Sequence, residues 1–166
     1  NSGTALLGGE AYHPAIDGHV LPSHPLKSLS PVPTLIGHCE NEGLLFAKVK
    51  SLFEGLPAKV QSLVGNDQWS LITDTYEATG RPGRDPKVDL FSDIFTCLPS
   101  LRLADELTKR GASVWSYRFD YAKASALGAC HASDIPFTFG KPEAAQLSPE
   151  WSLEAQKLSA TMRASF

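Results

Sequence analysis

The sequence predicts an α/β fold, and three observations carry that reading. Thr34-Leu35-Ile36 is a short apolar run closed by Gly37, which suits a strand covered on both faces, as in a parallel sheet. Ser113 to Tyr121 alternates Trp115, Tyr117 and Phe119 with Ser116, Arg118 and Asp120, the period of two that a strand requires. Between them lie about 75 residues whose apolar positions recur at helical spacing. Parallel strands need neighbours, so two of them do not make a complete sheet.

Each element follows from local pattern. Residues 1–32 hold Pro14, Pro22, Pro25 and Pro31 with Gly8, Gly9 and Gly18, and read as extended, turn-rich chain with a tight turn at Asp17-Gly18. The strand spans Pro33 to Gly37. Polar residues His38 to Glu42 lead into a helix with Leu45, Val49, Leu52 and Phe53 on one face. Gly55-Leu56-Pro57 starts a second helix, with Leu56, Val60, Leu63 and Val64 on its apolar face. Trp69, Ile72 and Tyr76 mark a third. Thr79 to Pro86 is a Gly/Pro/Arg loop. Residues 87–98 read as a buried helix through Val88, Phe91 and Phe95. Pro99 opens another, with Leu103 and Leu107 inward and a cap near Gly111. The strand Ser113 to Tyr121 follows, then a loop, and Trp151 to Phe166 is helical through Leu158, Met162 and Phe166.

Composition narrows the function classes. The chain has 166 residues, the size of one domain, with 42% apolar and 20% charged residues, as in ordinary soluble proteins. The net charge is −3 and no basic stripe occurs, which argues against a nucleic-acid surface. The apolar runs are far too short for a membrane span. Three cysteines, Cys39, Cys97 and Cys130, cannot all pair within the chain, which leans towards a reducing, cytoplasmic compartment. The first ten residues do not form a signal peptide, and the chain lacks an initiator Met.

Two polar segments hold the chemistry. Glu42 follows the first strand, and His131 follows the second by about ten residues. A serine hydrolase needs a nucleophile, an imidazole base and a carboxylate that orients the imidazole, and in α/β-hydrolases the chain order is Ser, then Asp/Glu, then His. Glu42 and His131 stand in that order, 89 positions apart. No G-x-S-x-G turn occurs. The nearest match, Gly111-Ala112-Ser113-Val114-Trp115, lacks the second Gly and lies after Glu42. Taken singly, Glu42 is a carboxylate at a helix start and His131 an ordinary loop histidine. His13, His19 and His24 with Cys39 or Glu40 match no zinc spacing, although a metal hydrolase is the rival they raise. Cys130 beside His131 raises a Cys–His pair, but adjacent side chains point apart.

Six segments in order resemble the C-terminal part of the type-B carboxylesterases, the family of carboxylesterases, para-nitrobenzyl esterases and cholinesterases. His13-Pro14-Ala15-Ile16-Asp17-Gly18 with Leu21-Pro22 and Pro25 resembles its P-x-x-D-G … L-P … P stretch. Val32 to Gly37 with Asn41-Glu42-Gly43 resembles V-P-x-L-I-G … N-E-G. Ser92 to Phe95 resembles T-D-x-x-F, and Val114 to Phe119 resembles V-Y-x-Y-x-F. Gly128 to Phe137 resembles the G-A-x-H-G-x-E-L-P loop, with Ala132 where the family has Gly. Leu158-Ser159 with Met162 resembles L-S-x-x-M.

The resemblance implies the C-terminal portion of an α/β-hydrolase fold, with residues 1–166 one segment and the nucleophile half upstream. It implies a carboxylic ester hydrolase with Glu42 as acid and His131 as base. Phe137 and Phe139 would line the substrate gorge or, as aromatic side chains often do, pack in the core. It implies no cofactor and no metal. The partners would be a small-molecule carboxylic ester and the N-terminal half of the same protein, with pairing to a second copy as one way to cover the lone strands. The alternative is a non-catalytic, cholinesterase-like interaction domain.

Overall fold

The computed structural model describes residues 15–47, 50–80, 85–142 and 151–166, with the side chains of 50–54 outside that description. Two parallel strands, β1 (Thr34–Cys39) and β2 (Val114–Phe119), pair in register from Thr34 opposite Val114 to Cys39 opposite Phe119. Helices α1 (Gly43–Phe46), α2 (Lys50–Val64), α3 (Asn66–Thr79), α4 (Pro86–Ser92) and α5 (Leu98–Lys109) form the crossover between them. A long helical connection is what a parallel pair requires. Beyond β2 come a turn-rich loop, the short α6 (Ile135–Phe139) and α7 (Leu153–Ser165).

Among the described residues, two apolar clusters form the core. Cys39, Phe119, Ala124, Ala129, Phe137 and Ala155 form one, joining the strand ends to α6 and α7. Leu56, Val60, Val88 and Phe91 form the other, joining α2 to α4, with Phe46 and Trp69 packed against it. β1 ends in the first cluster and α1 enters the second, so the short connection that carries Glu42 bridges them.

Several boundaries differ from the sequence reading. α2 runs unbroken through Gly55 and Pro57 where a new helix was expected. An interior proline costs a helix about 3 kcal/mol. Burial of Leu56 and Val60 against the α4 cluster offsets it. Leu63 and Val64, expected on the buried face, are exposed. Val49, and the side chains of Leu52 and Phe53, lie outside the described residues, as do positions 81–84 of the expected loop and the candidate ligand His13.

Residues 86–109 form one helical run rather than two helices. It passes through a π-helical turn, Asp93–Cys97, in which the Leu98 N–H bonds the Asp93 carbonyl five residues back. The shifted ladder lets Pro99, which has no N–H, enter without ending the run. The predicted stop of α5 is present: Gly111, at φ 87°, bonds Thr108 O and the next N–H bonds Leu107 O.

The turn-rich N-terminal segment is also as expected. Asp17 Oδ1 accepts the His19 and Leu21 N–H groups around Gly18. Arg110, just past α5, donates to the carbonyls of Leu26, Lys27 and Leu29 and ties this segment to the body. Among the described residues no helix is long and apolar enough to cross a membrane.

Candidate active site

The strand register builds the site. Beyond the last paired residues of the sheet, the Glu40 N–H bonds Phe119 O at 2.8 Å and the Asn41 N–H bonds Ala129 O at 2.9 Å. Asn41 and Cys130 then form an isolated parallel bridge. The next residue after each member of that bridge is Glu42 or His131. Glu42 Oε2 lies 2.5 Å from His131 Nδ1, and Glu42 Oε1 accepts the Cys39 N–H at 2.7 Å. Both carboxylate oxygens are occupied, and Glu42 is only 5% exposed.

The imidazole faces two ways. Nδ1 is committed to Glu42, while Nε2 has no hydrogen-bond partner among the described residues. Its side chain is 43% exposed. Neutral imidazole that donates through Nδ1 keeps its lone pair on Nε2, so the open nitrogen is the basic one. The hydrogen bond that His131 donates to Glu42 raises the His131 pKa above its ordinary value. Partial burial opposes the rise, and the Glu42 and Asp134 charges add to it. The Phe46 ring sits 5.0 Å from the imidazole, centroid to centroid, and covers one side of it.

Local backbone chemistry fixes the two loops. A Cβ on Gly43 would lie 2.4 Å from Val88 O, so only glycine lets the Glu42 turn press against α4. On the other loop, Ser125 Oγ accepts the Leu127 N–H and donates to Gly128 O, and the Ser133 N–H bonds Cys130 O. Ala132, where the resembling motif has Gly, adopts φ 64°, in the left-handed region that favours glycine.

The remaining candidates fall elsewhere. Phe137 is 1% exposed and packs against Phe119, Tyr121 and Trp151. This is the packing of a core residue, the second of the two readings its sequence allows. Phe139 is 66% exposed at the end of α6. That helix was read as loop, although Pro136 in its first turn and left-handed Gly140 after it are its start and stop signals.

All three cysteines are free thiols. Burial first, then the Asp134 and Glu42 charges, pushes the Cys39 thiol up to about 12, so it is unreactive. Cys130 is buried beside Ser125 Oγ, with its sulfur turned from the imidazole towards the His131 carbonyl. Among the described residues no cluster of His, Cys, Asp and Glu could hold a metal ion. Two contributors were not singled out from sequence. Ser92 accepts the Gly43 N–H at 2.9 Å, and Tyr117 donates to Asp134 Oδ2 at 3.1 Å behind the histidine.

A family model described as the carboxylesterase family matches residues 7–166. The chain belongs to the carboxylesterase family. It is 30% identical to gut esterase 1 of Caenorhabditis briggsae over 82% of its own length and 32% of that protein. It is 29% identical to phenmedipham hydrolase of Pseudarthrobacter oxydans over 84% of its length and 31% of that protein. A solved carboxylesterase of Geobacillus stearothermophilus superposes with a TM-score of 0.72 and 26% identity, covering 91% of this chain and 34% of that one. A solved PNB esterase gives 0.72 and 28%, covering 92% and 33%. This carboxylesterase-family chain has the α/β-hydrolase fold and spans about a third of the length of these relatives.

Proposed function

We propose that residues 1–166 form the C-terminal segment of a serine carboxylesterase and supply the acid and the base of its triad. The observation that carries this reading is the buried Glu42 carboxylate on His131 Nδ1, with Nε2 left open. Family membership and relatives named as an esterase and a hydrolase support ester hydrolysis.

In this mechanism His131 Nε2 takes the proton of a serine hydroxyl held by the upstream part of the protein. The serine oxygen attacks the ester carbonyl carbon, and the tetrahedral adduct collapses when His131 protonates the departing alcohol oxygen. Water then repeats the sequence on the acyl-serine and releases the acid. Glu42 holds the imidazole in the tautomer with Nδ1–H and stabilises the imidazolium that forms twice per cycle. Phe139, exposed and apolar, is the aromatic proposed to meet the ester.

Exposure on the sheet supports the same division of labour. Leu35 and Trp115 are paired in register and exposed, whereas both faces of a parallel sheet are normally covered. The N-terminal half is their proposed cover, and a second copy the substitute when that half is missing. A fluorophosphonate probe tests the proposal. The 166-residue chain alone stays unlabelled and hydrolyses no para-nitrophenyl ester, while the protein at its natural full length is labelled on a serine. Specific labelling within residues 1–166 contradicts it.

A further inference from the structure

We infer that Ser92 is a positioning residue for the acid: it accepts the Gly43 N–H and so fixes the turn from which the Glu42 carboxylate reaches His131. The inference rests on the reading of Glu42 and His131 as acid and base.

Glu42 occupies the N-cap position of α1. Its backbone is already helical, at φ −48° and ψ −44°, and its side chain makes no capping bond. Its two oxygens go to Cys39 N–H and His131 Nδ1. The next N–H, that of Gly43, is buried, and a buried donor without an acceptor is strongly disfavoured. Ser92 Oγ supplies that acceptor at 2.9 Å from 49 positions along the chain.

The hydroxyl is oriented for the task. Its own proton goes to Val88 O at 2.8 Å, which leaves a lone pair for Gly43. Ser92 is 5% exposed, so water does not substitute for it. Gly43 completes the fit, since any Cβ there would strike the same Val88 carbonyl. Without the Ser92 hydroxyl, the buried Gly43 N–H loses its acceptor and the turn lifts off α4, which loosens the carboxylate from the imidazole.

The test is steady-state hydrolysis of a para-nitrophenyl ester by the protein at its natural full length, with Ser92→Ala, Ser92→Thr, Glu42→Gln and the Ser92→Ala/Glu42→Gln double variant. Misplacing an orienting group costs rate at the chemical step. Ser92→Ala is expected to lose about tenfold or more in kcat with KM unchanged. Ser92→Thr, which keeps the hydroxyl, restores kcat, and Ser92→Ala costs nothing further once Glu42 is Gln. If Ser92→Ala does not fold, Ser92→Cys, of similar volume but a weaker acceptor, is expected to show the same kcat loss in smaller measure. Wild-type kcat in the folded Ser92 variant, or a full loss that persists on top of Glu42→Gln, overturns the inference alone. Wild-type kcat in Glu42→Gln overturns the acid–base reading and this inference with it.

Discussion

Ala132 shows what one residue contributes. Its φ of 64° places an L-residue where Cβ crowds the backbone, at a cost of about 1–2 kcal/mol. Glycine removes that cost but loses more conformational freedom on folding, roughly 0.4–1 kcal/mol. Ala132→Gly is therefore expected to stabilise the protein by about 0.5–1 kcal/mol, read as a rise in the urea midpoint with an unchanged slope. A lower midpoint would mean that the corner is not strained. Glu42 and His131 were legible in sequence because both sit in short, ordered motifs next to strands. Phe137 was not, since a single aromatic reads the same in a core and in a gorge. Only its burial against Trp151 and Phe119 separates the two.

At the scale of elements, the run from α4 to α5 holds the Glu42 turn in place. Gly43 meets Val88 O and Ser92 Oγ on α4, and Tyr76 of α3 donates to Asp93 at the start of the π-helical turn. Gly43→Ala is expected to cost about 1–3 kcal/mol of stability, as overpacking against unyielding backbone does. It also lowers ester hydrolysis by pushing the Glu42 turn away. A variant with unchanged melting and unchanged rate would show that the turn has room to move. Except for the short α6, helix existence was legible from apolar spacing, and so was the α5 stop at Gly111. The joins were not. Pro57 and Pro99 both read as helix starts, because local sequence reports the proline's cost and says nothing of what offsets it. Burial of Leu56 and Val60 offsets the first and a π-helical turn accommodates the second.

Across the whole molecule, the parallel pair and its helical crossover bring together two residues 89 positions apart. The α/β class was legible from two strands and the helices between them. The register was not, and it is the register, carried on through the Asn41–Cys130 bridge, that sets Glu42 beside His131. The raised His131 pKa gives this arrangement a pH signature. The folded state holds the imidazole proton more tightly than the unfolded chain. The pair's stabilisation is therefore complete below about pH 6.5 and fades as pH rises through the raised value. The proposed catalysis runs the other way, because only neutral His131 accepts a proton.

The most direct measurement is kcat/KM for a para-nitrophenyl ester against pH, in the protein at its natural full length, for wild type and Glu42→Gln. Wild-type activity is expected to rise through a pKa above about 6.5. Glu42→Gln is expected to lose about 10,000-fold in rate and to move the remaining limb to lower pH. A Glu42→Gln profile that keeps the wild-type rate and midpoint would contradict the assignment of Glu42 and His131 as acid and base.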